Sequence, residues 1–158
     1  MKGNLPYFYI KENLENTRGI RIYTLENIPS NTDTLNERFY EIPRELVLEI
    51  EKTKNFIFPD LMMNIYPLIS ERFREVLILF DIEIFTKRVM LIDKESREMQ
   101  SYYLLHTENL LNTDFNNFFK AVREENEKIS FIVNLDFAES LIRRDVKGIE
   151  FVEVEESV

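Results

Sequence analysis

The sequence predicts an α+β fold, with a mixed or largely antiparallel sheet and three short helices packed on it. The length of 158 residues, with 44% apolar and 31% charged residues, is typical of one globular domain. Helical and strand-like patterns are mixed without the regular strand–helix–strand alternation of a parallel sheet. No linker-like stretch divides the chain, so we expect residues 1–158 to form a single globular domain.

Short runs with a period of two, or short apolar runs, predict the strands. The clearest is at residues 45–51, where Leu46, Leu48 and Ile50 share one face. Pro43 would suit the first turn of a helix here, but a helix would scatter those three side chains around its circumference. Further strands are expected at residues 7–10, 20–23, 81–92, 99–105, 129–133 and 149–154.

Capping residues and a spacing of i, i+3, i+4, i+7 predict the three helices. Ser70 is a favoured N-cap, and four apolar residues follow it at this spacing, starting at Phe73. The same spacing predicts a helix at residues 115–126. Asp136, with Glu139 three residues later, resembles a capping box that opens the third helix. The first and third helices each lead directly into a predicted strand.

Three connecting segments also have recognisable sequences. Residues 27–34 are polar and rich in turn formers, which predicts a loop. Residues 59–64 predict a turn or a short helical segment. The charged residues 93–98 lie between two predicted strands and are expected to join them as an antiparallel hairpin.

The charge balance disfavours two classes of partner. Twenty-nine acids against 20 bases give a net charge of −9, which disfavours binding to nucleic acid and to anionic membranes. A basic protein partner would be attracted, although solubility alone also explains an acidic chain. No long apolar run or signal-peptide pattern is present, so we expect a cytoplasmic protein that does not bind membranes.

Candidate residues for chemistry are few, and we expect no enzymatic activity, cofactor or metal. The absence of cysteine excludes disulfides and thiolate chemistry, and three glycines do not supply a phosphate-binding loop. The one histidine, His106, allows a Ser-His-Asp site in principle, but its position favours a structural or exposed residue. Tyr102 and Tyr103 could stack on bases, but packing is favoured because adjacent strand residues face opposite sides.

Four segments resemble a family of bacterial immunity proteins from polymorphic toxin systems. They are Pro59-Asp60, the helix start at residues 67–73 (Pro-Leu-Ile-Ser-Glu-Arg-Phe), Tyr102-Tyr103-Leu104-Leu105 and Gly148-Ile149-Glu150-Phe151. The resemblance covers about residues 58–153. It implies a non-catalytic protein that binds a cognate toxin domain and blocks it, with the motif residues building the scaffold.

The surface that would contact the toxin is a separate hypothesis, based on the clustering of acids. We expect the contacts at exposed acids of one loop and of the C-terminus, where they would attract a basic toxin. These residues are Asp93, Glu95, Glu98, Glu153, Glu155 and Glu156. Two alternatives are open: a structural or adaptor protein without a toxin, and a hydrolase that uses paired carboxylates, for which the spacing identifies no pair.

Overall fold

The structure is a computed structural model that describes residues 6–23, 28–112, 117–126 and 128–155. These residues form ten strands, five α-helices and one 3-10 turn, Phe39–Glu41, in an α+β fold. The strands are β1 (Tyr7–Glu12), β2 (Ile20–Ile22), β3 (Glu45–Lys52), β4 (Leu61–Met62), β5 (Leu68–Ile69), β6 (Thr86–Asp93), β7 (Met99–Leu105), β8 (Phe119–Arg123), β9 (Ile129–Asn134) and β10 (Ile149–Glu153). The helices are α1 (Leu14–Thr17), α2 (Thr32–Glu37), α3 (Glu71–Leu79), α4 (Thr107–Leu111) and α5 (Leu135–Arg143).

The strands form two sheets, where the sequence had predicted one. The four-stranded sheet has the order β10-β1-β9-β8 and is antiparallel throughout. The six-stranded sheet has the order β2-β3-β6-β7-β5-β4 and is mixed, because β3 and β6 run parallel while the other pairs are antiparallel. The α+β class and the mostly antiparallel pairing are as predicted.

Each sheet buries one face in its own core. The first core lies between the inner face of the four-stranded sheet, including Ile10 and Phe131, and helices α3 and α5. The second core lies on the six-stranded sheet, where Leu48 of β3 packs with residues of α2 and the 3-10 turn. Strand β5 contributes to both cores, because adjacent strand residues face opposite sides: Leu68 points into the second and Ile69 into the first.

Helices α3 and α5, which were each predicted to lead directly into a strand, end in the same way. One residue beyond each C-cap, Asp81 and Asp145 have positive φ angles of 57° and 56°. Their N–H groups donate to the carbonyl three residues earlier, and those of Ile82 and Val146 to the carbonyl five residues earlier. This is the Schellman arrangement, here with aspartate where glycine is most common.

The structure confirms most of the predicted strands and the first helix start. β1, β2, β3, β7, β9 and β10 lie where strands were expected, within a few residues. The burial pattern of β3 alternates strictly, with the glutamates exposed. Residues 93–98 form the predicted hairpin between β6 and β7. The Ser70 hydroxyl caps α3 by accepting the Phe73 N–H at 3.0 Å.

The helix predicted at residues 115–126 is wrong. Residues 119–123 form strand β8, and Phe115 lies outside the described residues. In β8, Phe119 and Ala121 point into the first core and pair with β9. An apolar run this short fits a helical or an extended period, and the pairing partner decides between them.

Other segments differ in extent. Residues 59–64 contribute the short strand β4, where a turn or a short helical segment was expected. Helix α2 begins within the predicted loop 27–34, whose first residue lies outside the described residues. The strand predicted at 81–92 begins only at Thr86. Helix α5 is capped by Asn134, two residues before the predicted Asp136. The described residues therefore hold five helices, not three.

Candidate functional site

A cleft of about 440 Å³ lies where one end of the four-stranded sheet faces α2 and the turn between β4 and β5. One wall is the end of the four-stranded sheet, and the other is formed by the start of α2 and the turn between β4 and β5. Glu12, Arg123 and Lys128 line the first wall, while Asp33 and Met63 line the second. This cleft combines apolar walls with converging charged groups, as ligand sites usually do.

The register of β1 directs the Glu12 carboxylate into the cleft. It follows Phe8 and Ile10 at a spacing of two, so its side chain extends from the core-facing side of the sheet. One carboxylate oxygen accepts the Met63 backbone N–H at 3.3 Å. Burial raises the pKa of Glu12, while the Met63 hydrogen bond and the charge of Lys128 partly oppose that rise.

Four other charged residues at the cleft form two ion pairs. Lys11 donates to Glu124 at 3.1 Å, and Arg123 lies 3.3 Å from Asp33. Hydrogen bonds from Ser130 and Lys11 lower the pKa of Glu124. By strand alternation, Lys11 and Glu124 extend from the outer face of the sheet, and Glu12 extends from the inner face. The two carboxylates with shifted pKa values therefore do not share one face.

Replacing Glu12 with glutamine is expected to change the pH dependence of stability. The folded protein holds the Glu12 proton more tightly than the unfolded chain, so wild-type stability falls as pH rises from the unfolded pKa through the raised folded pKa. Glutamine can still accept the Met63 N–H and carries no charge. The free energy of unfolding of E12Q relative to wild type should therefore increase from pH 4 to pH 8 in urea titrations. A constant difference would contradict this account.

His106 is a structural residue. It caps α4, because its Nδ1 accepts the Asn109 N–H at 3.3 Å, which leaves Nε2 protonated to donate to the Asn36 carbonyl at 3.3 Å. Its ring is buried and contacts Phe39, with 4.8 Å between the ring centroids. Both ring nitrogens are thus used by the fold, which is the structural role that the sequence favoured over a catalytic one.

The first predicted acidic cluster is only partly exposed. Asp93 is buried, so the expectation of an exposed side chain is wrong at this position. Its carboxylate accepts the Ser96 hydroxyl at 2.6 Å and the Ser96 N–H at 3.1 Å, and these bonds lower the pKa of Asp93. Asp93 therefore shapes the hairpin turn. Glu95 and Glu98 are exposed at the hairpin end, with Glu98 3.2 Å from Lys52.

The second predicted cluster lies in the other sheet. Glu153 ends strand β10, Glu155 follows it, and both are exposed. Glu156 lies outside the described residues. The two clusters thus belong to separate sheets, one at a hairpin end and one on an edge strand. The sequence analysis missed Glu12. Its only signal in the sequence is that it follows the inward-facing Phe8 and Ile10 at a spacing of two.

The four segments that carry the family resemblance meet in one buried network centred on Asp60. The Asp60 carboxylate accepts the Ser70 hydroxyl at 2.5 Å and the Lys147 N–H at 2.6 Å. The carbonyl of the preceding Pro59 accepts the Tyr102 hydroxyl at 2.6 Å. Burial, with a contribution from the Asp60 charge, raises the pKa of Tyr102. Gly148 packs directly on Pro59, so segments distant in sequence form one structural unit.

Searches against known proteins add no family to this description. No protein-family model matches the chain, and no curated protein matches it. Within the described residues, no helix has the length and apolar character needed to cross a membrane. The same residues contain no group of three histidine or carboxylate side chains placed to hold a metal ion.

Proposed function

We propose that this protein is a cytoplasmic immunity protein that binds a cognate bacterial toxin domain and blocks it without catalysis. The observation that carries the proposal is the network around Asp60. The segments that resemble immunity proteins contact one another through the hydrogen bonds of Asp60 and Tyr102 and through the Gly148–Pro59 packing. Their buried residues, such as Asp60, Ser70 and Tyr102, support the scaffold role that the resemblance implies for them, and exposed residues of the protein are left to recognise the toxin.

Charge supports the same proposal. The chain carries a net charge of −9, and Glu95, Glu98, Glu153 and Glu155 present carboxylates to solvent. An acidic surface raises the rate of encounter with a basic partner and favours it over acidic competitors. The toxin domain is therefore expected to be basic where it docks.

Co-expression tests the proposed function directly. The tagged protein should capture a toxin from lysate of the source bacterium, and the toxin's isolated C-terminal domain should arrest growth of a host cell. Co-expression of this protein should restore growth, while co-expression of an unrelated acidic protein of similar size should not. A captured toxin domain that stays lethal in the presence of this protein would contradict the proposal.

Neutralising the exposed acids should slow association with the toxin domain. Replacing Glu95, Glu98, Glu153 and Glu155 with glutamine should lower the association rate about tenfold at low salt, because steering depends on local charge. The salt dependence of that rate should also weaken. A matched control replaces four other exposed glutamates, namely Glu37, Glu75, Glu108 and Glu125. Equal rates for both variants in stopped-flow measurements would show that only net charge matters.

One observation favours a carboxylate hydrolase as a second candidate. Glu12 and Glu124 line the same cleft, and their surroundings move their pKa values in opposite directions, as in acid–base pairs. Their placement on opposite faces of the sheet counts against joint action. Assays of the purified protein with chromogenic glycosides and esters test this candidate: turnover that is lost in E12Q would support a hydrolase over an immunity protein.

A further inference from the structure

Strand β10 presents an open backbone edge. It is the terminal strand of the four-stranded sheet, and its described neighbour is β1 alone. The Val154 N–H donates to Tyr7 at 2.8 Å, and Gly148 accepts the Asn13 N–H at 2.9 Å, so even-numbered residues bond to β1. The N–H and C=O groups of the odd-numbered residues, Ile149, Phe151 and Glu153, therefore point away from the sheet.

The two edges of this sheet differ. At the opposite edge, α4 packs against β8. No helix of the described residues packs in this way against β10. The side chain of Val152 in β10 is correspondingly 46% exposed. Phe151 is half-buried and packs edge-on against Phe8, with 6.3 Å between the ring centroids. A strand added here would thus find backbone groups that no described residue binds, next to the Phe151 ring, which Phe8 holds in place.

Charge selects the occupant of this edge. Residues 148–158 contain four glutamates and no lysine or arginine. Lys11 lies opposite Glu150 in the register of β1 and β10, but its ammonium forms an ion pair with Glu124 at 3.1 Å. Two copies of β10 paired edge to edge would bring glutamates together, and like charges on adjacent strands destabilise a sheet. A strand with lysine or arginine side chains would instead be attracted.

We propose that β10 binds a basic strand of the partner by adding it to the four-stranded sheet. This inference rests on the proposed function, because it assigns the docking edge for the toxin domain. Backbone hydrogen bonds to Ile149, Phe151 and Glu153 would supply affinity, as in other cases of strand addition. Glu150, Glu153 and Glu155 would favour a basic sequence.

Hydrogen exchange in the complex with the captured toxin domain tests the edge. The amides of Ile149, Phe151 and Glu153 should exchange at least ~10-fold more slowly in the complex, because each gains a hydrogen-bond acceptor. Amides of β2, at the edge of the other sheet, serve as the control and should not change. An unchanged rate at all three β10 amides would overturn the inference, since the glutamates would then only protect the edge from aggregation.

A pair of variants separates backbone pairing from charge. Glu153→Pro removes an edge-facing N–H without removing a bond to β1, and edge strands tolerate proline. Glu153→Gln removes the charge and keeps the N–H. We expect E153P to weaken toxin binding about tenfold more than E153Q does, because it leaves a partner carbonyl unpaired. Equal affinities of two variants with wild-type circular dichroism would overturn the inference.

A second probe distinguishes failure of the edge from failure of the proposed function. A ten-residue peptide of alternating lysine and valine is added to the protein, and the same three amides are followed. Protection by the peptide, with no toxin captured from lysate, would support the edge and reject the immunity function. A toxin that is neutralised without protection of the edge would keep the function and reject the inference.

Discussion

Replacing Gly148 with alanine is expected to destabilise the folded protein by about 2–5 kcal/mol. Gly148 has a φ of +77°, a conformation that an L-residue with a Cβ adopts only at a cost. The added Cβ would also lie 2.2 Å from the Pro59 Cβ and 3.0 Å from its Cα. Because Pro59 is buried next to Asp60, neither backbone segment can move without disturbing the hydrogen bonds to Lys147 and Ser70.

Gly19→Ala is the matched control for that variant. Its Cβ would approach the Thr53 hydroxyl at 2.8 Å and the Asn16 carbonyl at 3.1 Å, and no left-handed conformation is involved. The Thr53 side chain can rotate away, so we expect a loss of about 1 kcal/mol. Urea unfolding followed by circular dichroism measures both values. Similar losses at the two glycines would show that the Gly148–Pro59 contact is less restrictive than the structure indicates.

The parts of the fold that the sequence predicts are those set by local chemistry. Strand β3 is predictable because one of its faces is solvated and the other is buried, so polar and apolar residues alternate along its sequence. The Ser70 cap is predictable because a hydroxyl that accepts a helix N–H needs only its own short segment. The hairpin at residues 93–98 likewise depends on nearby residues, with Asp93 and Ser96 forming the turn.

The parts that the sequence does not predict depend on distant partners. β8 has the spacing of a helix, and only the antiparallel pairing with β9 makes it a strand. β4 and β5 have two residues each, too few to show any period, and they exist because β7 offers a free edge to β5. The second sheet was unpredictable for the same reason, since strand order depends on contacts far apart in the chain.

The candidate sites show the same division. Glu95, Glu98, Glu153 and Glu155 are exposed as expected, because carboxylates on a polar loop and on an edge strand are normally solvated. Asp93 belongs to the same run of charges but is buried, because its carboxylate completes the hairpin turn. The cleft around Glu12 is lined by residues of β1, β8 and the β4–β5 turn, so no single segment of the sequence predicts it.

Replacing Asp60 with alanine is expected to destabilise the protein by about 3–5 kcal/mol, through loss of two hydrogen bonds to a buried carboxylate. Its oxygens accept the Ser70 hydroxyl, which caps α3, and the Lys147 N–H, which lies just before β10. Alanine leaves both donors buried or half-buried without this acceptor. Ser70→Ala removes one of these bonds and the cap, so its loss should be smaller, about 1–2 kcal/mol.

The stability losses of D60A and S70A should not be additive, because both variants remove the same Ser70–Asp60 hydrogen bond. Asp60 directly precedes β4 of the six-stranded sheet, while Lys147 belongs to the connection into β10 of the four-stranded sheet. In a double-mutant cycle, D60A and S70A should show a coupling energy of about 1 kcal/mol or more. The Lys147 amide should exchange faster in D60A than in S70A, because only D60A removes its acceptor. Additive losses would show that Asp60 and Ser70 do not act together, and equal exchange of the Lys147 amide in both variants would show that Asp60 does not link the two sheets.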